Sequence, residues 1–270
     1  MRILIRTSKW AIWARRFGSL ALPLAIIPVF LHRERLILST DFAIIETAAL
    51  IVAGIALFLA LGAFVRLWIT GDQGWGKATA GFLLALVCLA PFGAVAYFAA
   101  RYPSTADIST DPQNPPGVVS QLPMHPPVDY GAVAAVFPNA QDRNYPIGAP
   151  QMFAIVTGLV EDRGWEPRAR REPQTPQAEG QVNAVAMTLL GWREEAAIRI
   201  TGVPQGSVVA MRSVALHPGH DLGENGRRVE EFLAALDEQV TLLLRDAPVT
   251  AAPVDEEPVA PQVESETEGE

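Results

Sequence analysis

Residues 78–100 limit what this chain can fold into more than any other stretch, because none of them carries a charged side chain. An α-helix rises about 1.5 Å per residue, so about 20 apolar residues cross the roughly 30 Å hydrocarbon core of a bilayer. The stretch ends at Arg101, a cation suited to headgroup depth. It predicts a membrane-spanning helix that closes a transmembrane region over residues 1–101.

Two earlier apolar segments predict further spans. Residues 43–65 are uncharged apart from Glu46 and are followed by Arg66 and Trp68. Residues 17–31 are short for a span and contain two prolines, so they either cross with local bilayer thinning or lie in the interface. No small-residue cleavage site follows them, which argues against a signal peptide. In the second span, small residues favour helix packing within the chain: Ala49, Ala53, Ala56 and Ala60.

The basic residues predict the orientation. If all three segments cross, one side of the membrane receives Arg2, Arg6, Lys9, Arg15, Arg16, Arg66 and Lys77, and the other receives Arg33, Arg35 and Arg101. The positive-inside rule then places the N-terminus in the cytoplasm and the C-terminal domain in the periplasm of a bacterium, held by the inner membrane. If the first segment does not cross, both termini share one side.

Charge and cysteine content exclude several classes. The net charge is −8 and the pI is near 5.1, whereas nucleic-acid binding needs a concentrated Lys/Arg surface. Cys88 is the single cysteine, so an intramolecular disulfide and a thiolate metal cluster are both excluded. Residues 247–270 are acidic and proline-rich, which predicts a disordered tail.

Residues 102–150 are rich in proline, which predicts an extended connector without regular helix or sheet. Apolar side chains within it predict that it lies along the following domain: Val118, Val119, Leu122, Tyr130, Val133, Val136 and Phe137.

Residues 151–246 predict a soluble α+β domain in the order helix, four strands, helix. Apolar spacing of three and four residues over 152–160 predicts the first helix, which ends at Gly164. Four short apolar runs separated by tight turns predict antiparallel strands over 165–171, 182–190, 196–201 and 207–216. Asp221 and Glu224 form a capping-box pattern at the start of the second helix. Both helices are expected to cover one face of the sheet.

Three runs resemble a known family. They are DISTDPQNPP from Asp107, LVEDRGWE over 159–166, and RSVALHPGHDLGENGRRVEEFL over 212–233. Together they are similar to the bacterial and plastid family catalogued as domain of unknown function 1499 (DUF1499), over about 107–245. The resemblance implies an envelope-associated domain, often behind membrane spans, with no established activity, cofactor or catalytic residue. The sequence departs from the family at 215–217, where a more polar stretch is expected.

The last of these runs contains the candidate site. Its residues are Arg212, Ser213, Asp221, Gly223, Asn225, Arg227 and Arg228. Asp221, Gly223 and Asn225 are typical of a structural turn and cap at a helix start. The alternative is an anion site at the helix N-terminus, to which the three arginines add charge. A phospholipid headgroup or an envelope polyanion would fit such a site.

Other patterns give weaker hypotheses. His217, His220 and Asp221 suit zinc if they converge, but the pattern favours exposed turn histidines over a metal site. Ser207 and Ser213 lack a nucleophile elbow. The carboxylates of the adjacent pairs Glu161-Asp162 and Glu194-Glu195 are expected to point apart on a helix or strand, which predicts solvated faces.

The remaining aromatic and basic residues leave two interpretations open. A basic cluster contacts anionic headgroups or protects a sheet edge: Arg163, Arg168, Arg170, Arg171 and Arg193. Trp165 and Trp192 are expected to cap the core.

The sequence therefore predicts a multi-pass membrane protein that presents a non-enzymatic binding module to an envelope protein or an anionic lipid. No cofactor is predicted. The alternative is a membrane-anchored hydrolase or metal-binding protein that uses the loop of His217, His220 and Asp221.

Overall fold

The computed structural model describes residues 6–246, so the predicted acidic tail lies outside the described residues. Three helices open the chain: α1 (Lys9–Arg33), α2 (Ser39–Thr70) and α3 (Trp75–Arg101). Each is long and apolar enough to cross a membrane, which confirms the three predicted apolar helices. The first is longer than the apolar run predicted, and Pro23 and Pro28 lie inside it without ending it.

Small side chains pack the three helices closely together. The buried residues of the bundle are mostly alanine and glycine: Ala11, Ala14, Gly18 and Ala21 of α1, Ala49, Ala53, Ala56, Ala60 and Ala63 of α2, and Ala78, Gly81 and Ala85 of α3. A Cβ atom at Gly81 would lie only 2.5 Å from the carbonyl carbon of Ala14, so α1 and α3 touch through their backbones. The alanine face of α2 is therefore used within the chain, as predicted.

The C-terminal domain is built on one antiparallel sheet. Its four long strands are β3 (Glu166–Arg171), β4 (Glu179–Met187), β5 (Arg193–Val203) and β6 (Gly206–Ala215), and they pair in that order. These strands confirm the predicted meander. Gly206 has a φ of +144°, and a Cβ there would clash with the carbonyl oxygen of Tyr145, so the tight turn before β6 requires glycine.

The connector carries regular structure, and the prediction that it has none is wrong. β1 (Asp107–Ser109) and β2 (Arg143–Tyr145) both pair with the outer edge of β6, and α4 (Tyr130–Val136) lies between them. These three short elements contain no proline, so the proline spacing leaves room for them. The predicted docking is confirmed at Val133 and Phe137, which are buried in the core.

Two helices cover one face of the sheet, as predicted. They are α5 (Ala149–Asp162) and α6 (Glu224–Asp246). A single core joins them to the sheet through buried apolar residues that include Met152, Val156, Ile198, Met211, Phe232 and Leu236. The opposite face is covered by residues 111–128, which we call the strap.

The domain docks directly on one end of the bundle. The His32 Nδ1–H donates to the carbonyl of Leu190 at 2.9 Å, and Arg33 donates to the carbonyl of Leu189 at 2.7 Å. Trp192 lies at this junction, 4.9 Å from the His32 ring, so the prediction that it caps the core is wrong. Trp165 does cap the core, stacked 5.5 Å from Phe232.

The first described residues lie at the other end of the bundle. Thr7 forms a β-bridge with Gln73 in the loop that joins α2 to α3. The chain therefore passes along the bundle three times before it enters the C-terminal domain.

Candidate functional site

Three of the predicted site residues form one buried polar network with Glu194 between the sheet and α6. Ser213 points from β6 toward the helices, and its hydroxyl donates to Asn225 Oδ1 at 2.6 Å. The Arg228 Nη1 group donates to the same Asn225 oxygen at 3.0 Å. Arg228 also pairs with Glu194 of β5. Ser213 belongs to β6, whereas Asn225 and Arg228 belong to α6. The network therefore fixes α6 against the sheet.

Asp221 connects this network to the chain that follows α3. Its carboxylate accepts the backbone N–H of Asn225 at 3.1 Å, which caps α6, and the backbone N–H of Thr105 at 2.8 Å. The Thr105 hydroxyl donates to it as well. The Glu224 carboxylate pairs with Arg227, so the reciprocal half of the predicted capping box is not formed.

Gly223 lies where the start of α6 meets the chain that follows α3, and its backbone conformation matters there. Its φ is +75°, and a Cβ atom at this position would lie 2.8 Å from the Tyr102 ring. Glycine is thus required by both conformation and space.

Glu194 contradicts the prediction of a solvated face. It is 1% exposed on the helix-covered side of β5. Burial raises its pKa to about 7, although Arg228 works in the opposite direction.

The three predicted arginines lie in three places. Arg228 is in the network, and Arg227 is partly exposed, paired with Glu224 and placed over the Tyr102 ring. Arg212 points to the opposite face of the sheet, where its Nε and Nη2 groups each donate to the Asp107 carboxylate at 2.7 Å. Each arginine has its own carboxylate, and the three do not surround one point.

The histidines also lie apart. His217 is buried against the Trp192 ring at 4.3 Å, which corrects the expectation of an exposed turn residue, and burial lowers its pKa. His220 accepts the N–H of Leu222 at Nδ1, so its Nε2–H donates to the carbonyl of Tyr102. Within residues 6–246, no group of three His, Cys, Asp or Glu side chains is placed to hold a metal ion.

A cleft of about 300 Å³ lies under one end of the strap. Its floor is the Arg212–Asp107 pair with Ser109. Its walls are largely apolar and come from the strap and the start of α4: Pro115, Leu122, Pro123, Pro126, Pro127, Val128 and Tyr130. His125 completes the lining. Polar and apolar groups line this space in about equal measure, and a concave space with convergent polar groups is typical of a ligand site.

The polar groups of the cleft have unused hydrogen-bonding capacity. The His125 Nε2–H donates to the carbonyl of Ala215 at 2.8 Å, which leaves Nδ1 as an acceptor. Nδ1 is buried and has no hydrogen-bond partner in the part of the chain that the structure describes. The Arg212 and Asp107 side chains are 15% and 28% exposed, so the pair is still accessible.

Side chains of the sheet hold the strap in place. The Glu195 carboxylate accepts the backbone N–H groups of Val119 at 2.7 Å and Ser120 at 2.9 Å, and the side chain of Asn183 at 2.8 Å. Burial alone would raise the Glu195 pKa, but these hydrogen bonds outweigh it and lower the pKa. Glu195 is buried, so the predicted solvated face is wrong for this residue as well.

Three of the five residues of the predicted basic cluster lie along β3 in local ion pairs. Arg168, Arg170 and Arg171 pair with Glu166, Glu161 and Glu179 respectively. All six residues of β3 are exposed, and charged side chains on an edge strand hinder pairing with another chain.

Sequence reasoning found Arg212 but missed the rest of the cleft. Asp107 belongs to the run that carries the family resemblance, and it pairs with Arg212 because β1 lies beside β6. His125 gave no signal of its own, and Tyr130 was predicted only to dock on the domain, since both reach the cleft through the path of the connector.

Comparison with known proteins gives one family. Residues 107–236 match the model of the family described as "Protein of unknown function (DUF1499)", which confirms the resemblance. The matched region contains the strap, the cleft and the polar network. No curated protein and no solved structure matches the chain.

Proposed function

We propose, from the premise that residues 107–236 form a DUF1499 domain behind three apolar helices, that this protein is a membrane-anchored binding module without catalytic activity. Its ligand, a lipid or an envelope partner, is bound in the cleft under the strap. The cleft carries the proposal because it combines an accessible ion pair with apolar walls.

The hydroxyl groups considered as nucleophiles support a non-catalytic role. Ser207 donates to the carbonyl of Ile147 at 2.8 Å, and Ser213 donates to Asn225. Both are buried in structural contacts. A nucleophile needs an adjacent base and an open path to the substrate.

The proposed location is the periplasmic face of a bacterial inner membrane. Six described basic residues lie in the part of the bundle that contains Thr7 and Gln73, opposite the domain: Arg6, Lys9, Arg15, Arg16, Arg66 and Lys77. The positive-inside rule assigns that end to the cytoplasm.

Cysteine labelling tests this location. In a Cys88→Ala background, Met124→Cys is placed on the strap and Gln73→Cys on the opposite end of the bundle. A membrane-impermeant maleimide applied to cells with a permeabilised outer membrane should label the first and spare the second. Labelling of only the second would reverse the orientation.

Native mass spectrometry of the full chain in detergent tests binding. Leu122→Trp fills the cleft, whereas Met124→Trp changes a residue of the same strap that is 95% exposed and outside the cleft lining. The wild type and Met124→Trp should retain a small molecule that Leu122→Trp loses. Equal retention by all three proteins, or retention by none, would contradict the proposal.

A further inference from the structure

We infer that the cleft accepts a zwitterionic headgroup that joins a phosphate to a primary ammonium group, as in phosphoethanolamine. This inference rests on the proposed function and specifies its ligand. The source is either a bilayer lipid or the free compound, and the two share the chemistry that the cleft would recognise.

The charges of the cleft favour a ligand that carries both signs. Arg212 uses Nε and Nη2 on Asp107, while Nη1 makes only a long contact of 3.4 Å with the carbonyl of Pro116. Nη1 therefore has an N–H group for a phosphate oxygen. A simple anion would also meet the Asp107 carboxylate, and a simple cation would also meet the Arg212 guanidinium, so each would be partly repelled.

The ammonium group suits the acceptor capacity of Asp107. This carboxylate is 28% exposed and keeps lone pairs that its two bonds to Arg212 do not occupy. A primary ammonium has three N–H donors and can bond to these lone pairs. A trimethylated ammonium has none, so the inference separates phosphoethanolamine from phosphocholine.

The position of the cleft brings it close to bilayer lipids. Asp107 follows Arg101, the last residue of α3, by six positions, which limits their separation to about 20 Å even for a fully extended chain. His125 donates a hydrogen bond to the carbonyl of Ala215, the last residue of β6. The turn after β6 contains His217, which contacts Trp192 at the junction with the helix bundle. The apolar walls of proline and leucine suit the hydrocarbon part of an amphiphile.

Calorimetry of the full chain in detergent tests the charge argument. Phosphoethanolamine should bind at least tenfold more tightly than inorganic phosphate or ethanolamine alone. Asp107→Asn should reduce this preference and favour phosphate, whereas Arg199→Lys, whose arginine pairs with Asp111 outside the cleft lining, should leave it unchanged. Equal affinity for phosphate and phosphoethanolamine in the wild type would overturn the inference.

Retention of a lipid by the protein distinguishes the two sources of the headgroup, a bilayer lipid and the free compound. Nanodiscs with equal parts of phosphatidylethanolamine, phosphatidylcholine and phosphatidylglycerol are analysed by native mass spectrometry after release of the protein. Selective retention of phosphatidylethanolamine by the wild type and Met124→Trp, with loss in Leu122→Trp, indicates the lipid. Binding of free phosphoethanolamine without lipid retention indicates the soluble compound.

Leu122→Trp keeps the ion pair intact, so the test does not depend on a variant that alters the charged floor. If a different molecule is retained through Leu122 and phosphoethanolamine does not bind, the proposed function stands and this inference is wrong. If the retention of no molecule is lost in Leu122→Trp, the proposed function and this inference are both wrong.

Discussion

Glu194 and Glu195 are neighbours on β5, and the two faces of the sheet shift their pKa values in opposite directions. Both are nearly completely buried, at 1% and 0% exposure. On the helix-covered face, desolvation raises the pKa of Glu194 to about 7 despite Arg228. On the strap-covered face, N–H donors lower the pKa of Glu195 even though burial opposes them. The hydrogen-bond donors around Glu195 thus outweigh its desolvation, whereas Arg228 does not outweigh the desolvation of Glu194.

The comparison separates structure from binding. On the helix-covered face, Ser213, Asn225, Arg228 and Glu194 are partners of one another. On the strap-covered face, the strap is held at Glu195, and the cleft at its end keeps an accessible ion pair. We therefore assign stability to the first face and ligand binding to the second.

Arg228→Ala should have the largest effect on stability. It leaves Glu194 buried without its cation, a change that costs about 3–5 kcal/mol in buried pairs. Thermal unfolding of the full chain in detergent, followed by tryptophan fluorescence, measures the loss.

Arg227→Ala is the matched control, because it removes the neighbouring arginine from a partly exposed pair that contributes about 1 kcal/mol or less. Equal losses in the two variants would show that the helix-covered network is not the main support of the domain.

Glu195→Ala should release the strap without unfolding the helix-covered core. The variant loses an acceptor of three hydrogen bonds and leaves their donors unsatisfied, at a cost of about 1–3 kcal/mol. Hydrogen exchange should accelerate at Val119 and Ser120 and stay unchanged in α6. Faster exchange across both faces would show that they are one cooperative unit.

Glu194→Gln should flatten the pH dependence of stability. Because the folded pKa of Glu194 is about 7 and the unfolded value is near 4.5, the folded state binds more protons between these values. The stability that Glu194 contributes is present below pH 4.5 and is lost as the pH rises through 7, by at most about 1.4 kcal/mol per pH unit.

His217 acts in the other direction, since burial lowers its pKa and its stabilising effect is lost as the pH falls. It is common to both proteins, so the difference between the wild type and Glu194→Gln isolates Glu194. A difference that is constant between pH 5 and 7 would refute the assignment.

Asp129→Ala should have the smallest effect. Asp129 accepts the N–H groups of Gly131 and Ala132 and so caps α4, whose first residue lines the cleft. Loss of such a cap costs about 1 kcal/mol. Ligand affinity in the native mass spectrometry assay should fall slightly, and Asp129→Asn, which keeps an acceptor, should restore it. An unchanged thermal midpoint in Asp129→Ala would contradict this role.

The sequence predicted what depends on local pattern and missed what depends on pairing across the chain. Apolar length predicted α1, α2 and α3, and short runs with turns predicted β3 to β6. β1 and β2 are three residues each, too short for a periodic signal, and they exist because the edge of β6 offers them partners.

The site shows the same limit. The spacing of Asp221, Gly223 and Asn225 correctly predicted a turn and a cap. The spacing could not show that Arg212 and Arg228 lie on opposite faces of the sheet. Successive side chains of β6 point to opposite faces, but the sequence does not show which elements cover each face. Glu194 and Glu195 were predicted to point apart, and they do, but burial of both faces requires the strap.

Photo-crosslinking in intact cells tests most directly whether the two faces differ in function. A photoreactive phenylalanine analogue at Leu122 in the cleft is compared with one at Leu242, which is partly exposed on α6. The assignment predicts a ligand adduct from position 122 and none from position 242. An adduct from position 242 alone would place binding on the helix-covered side and contradict it.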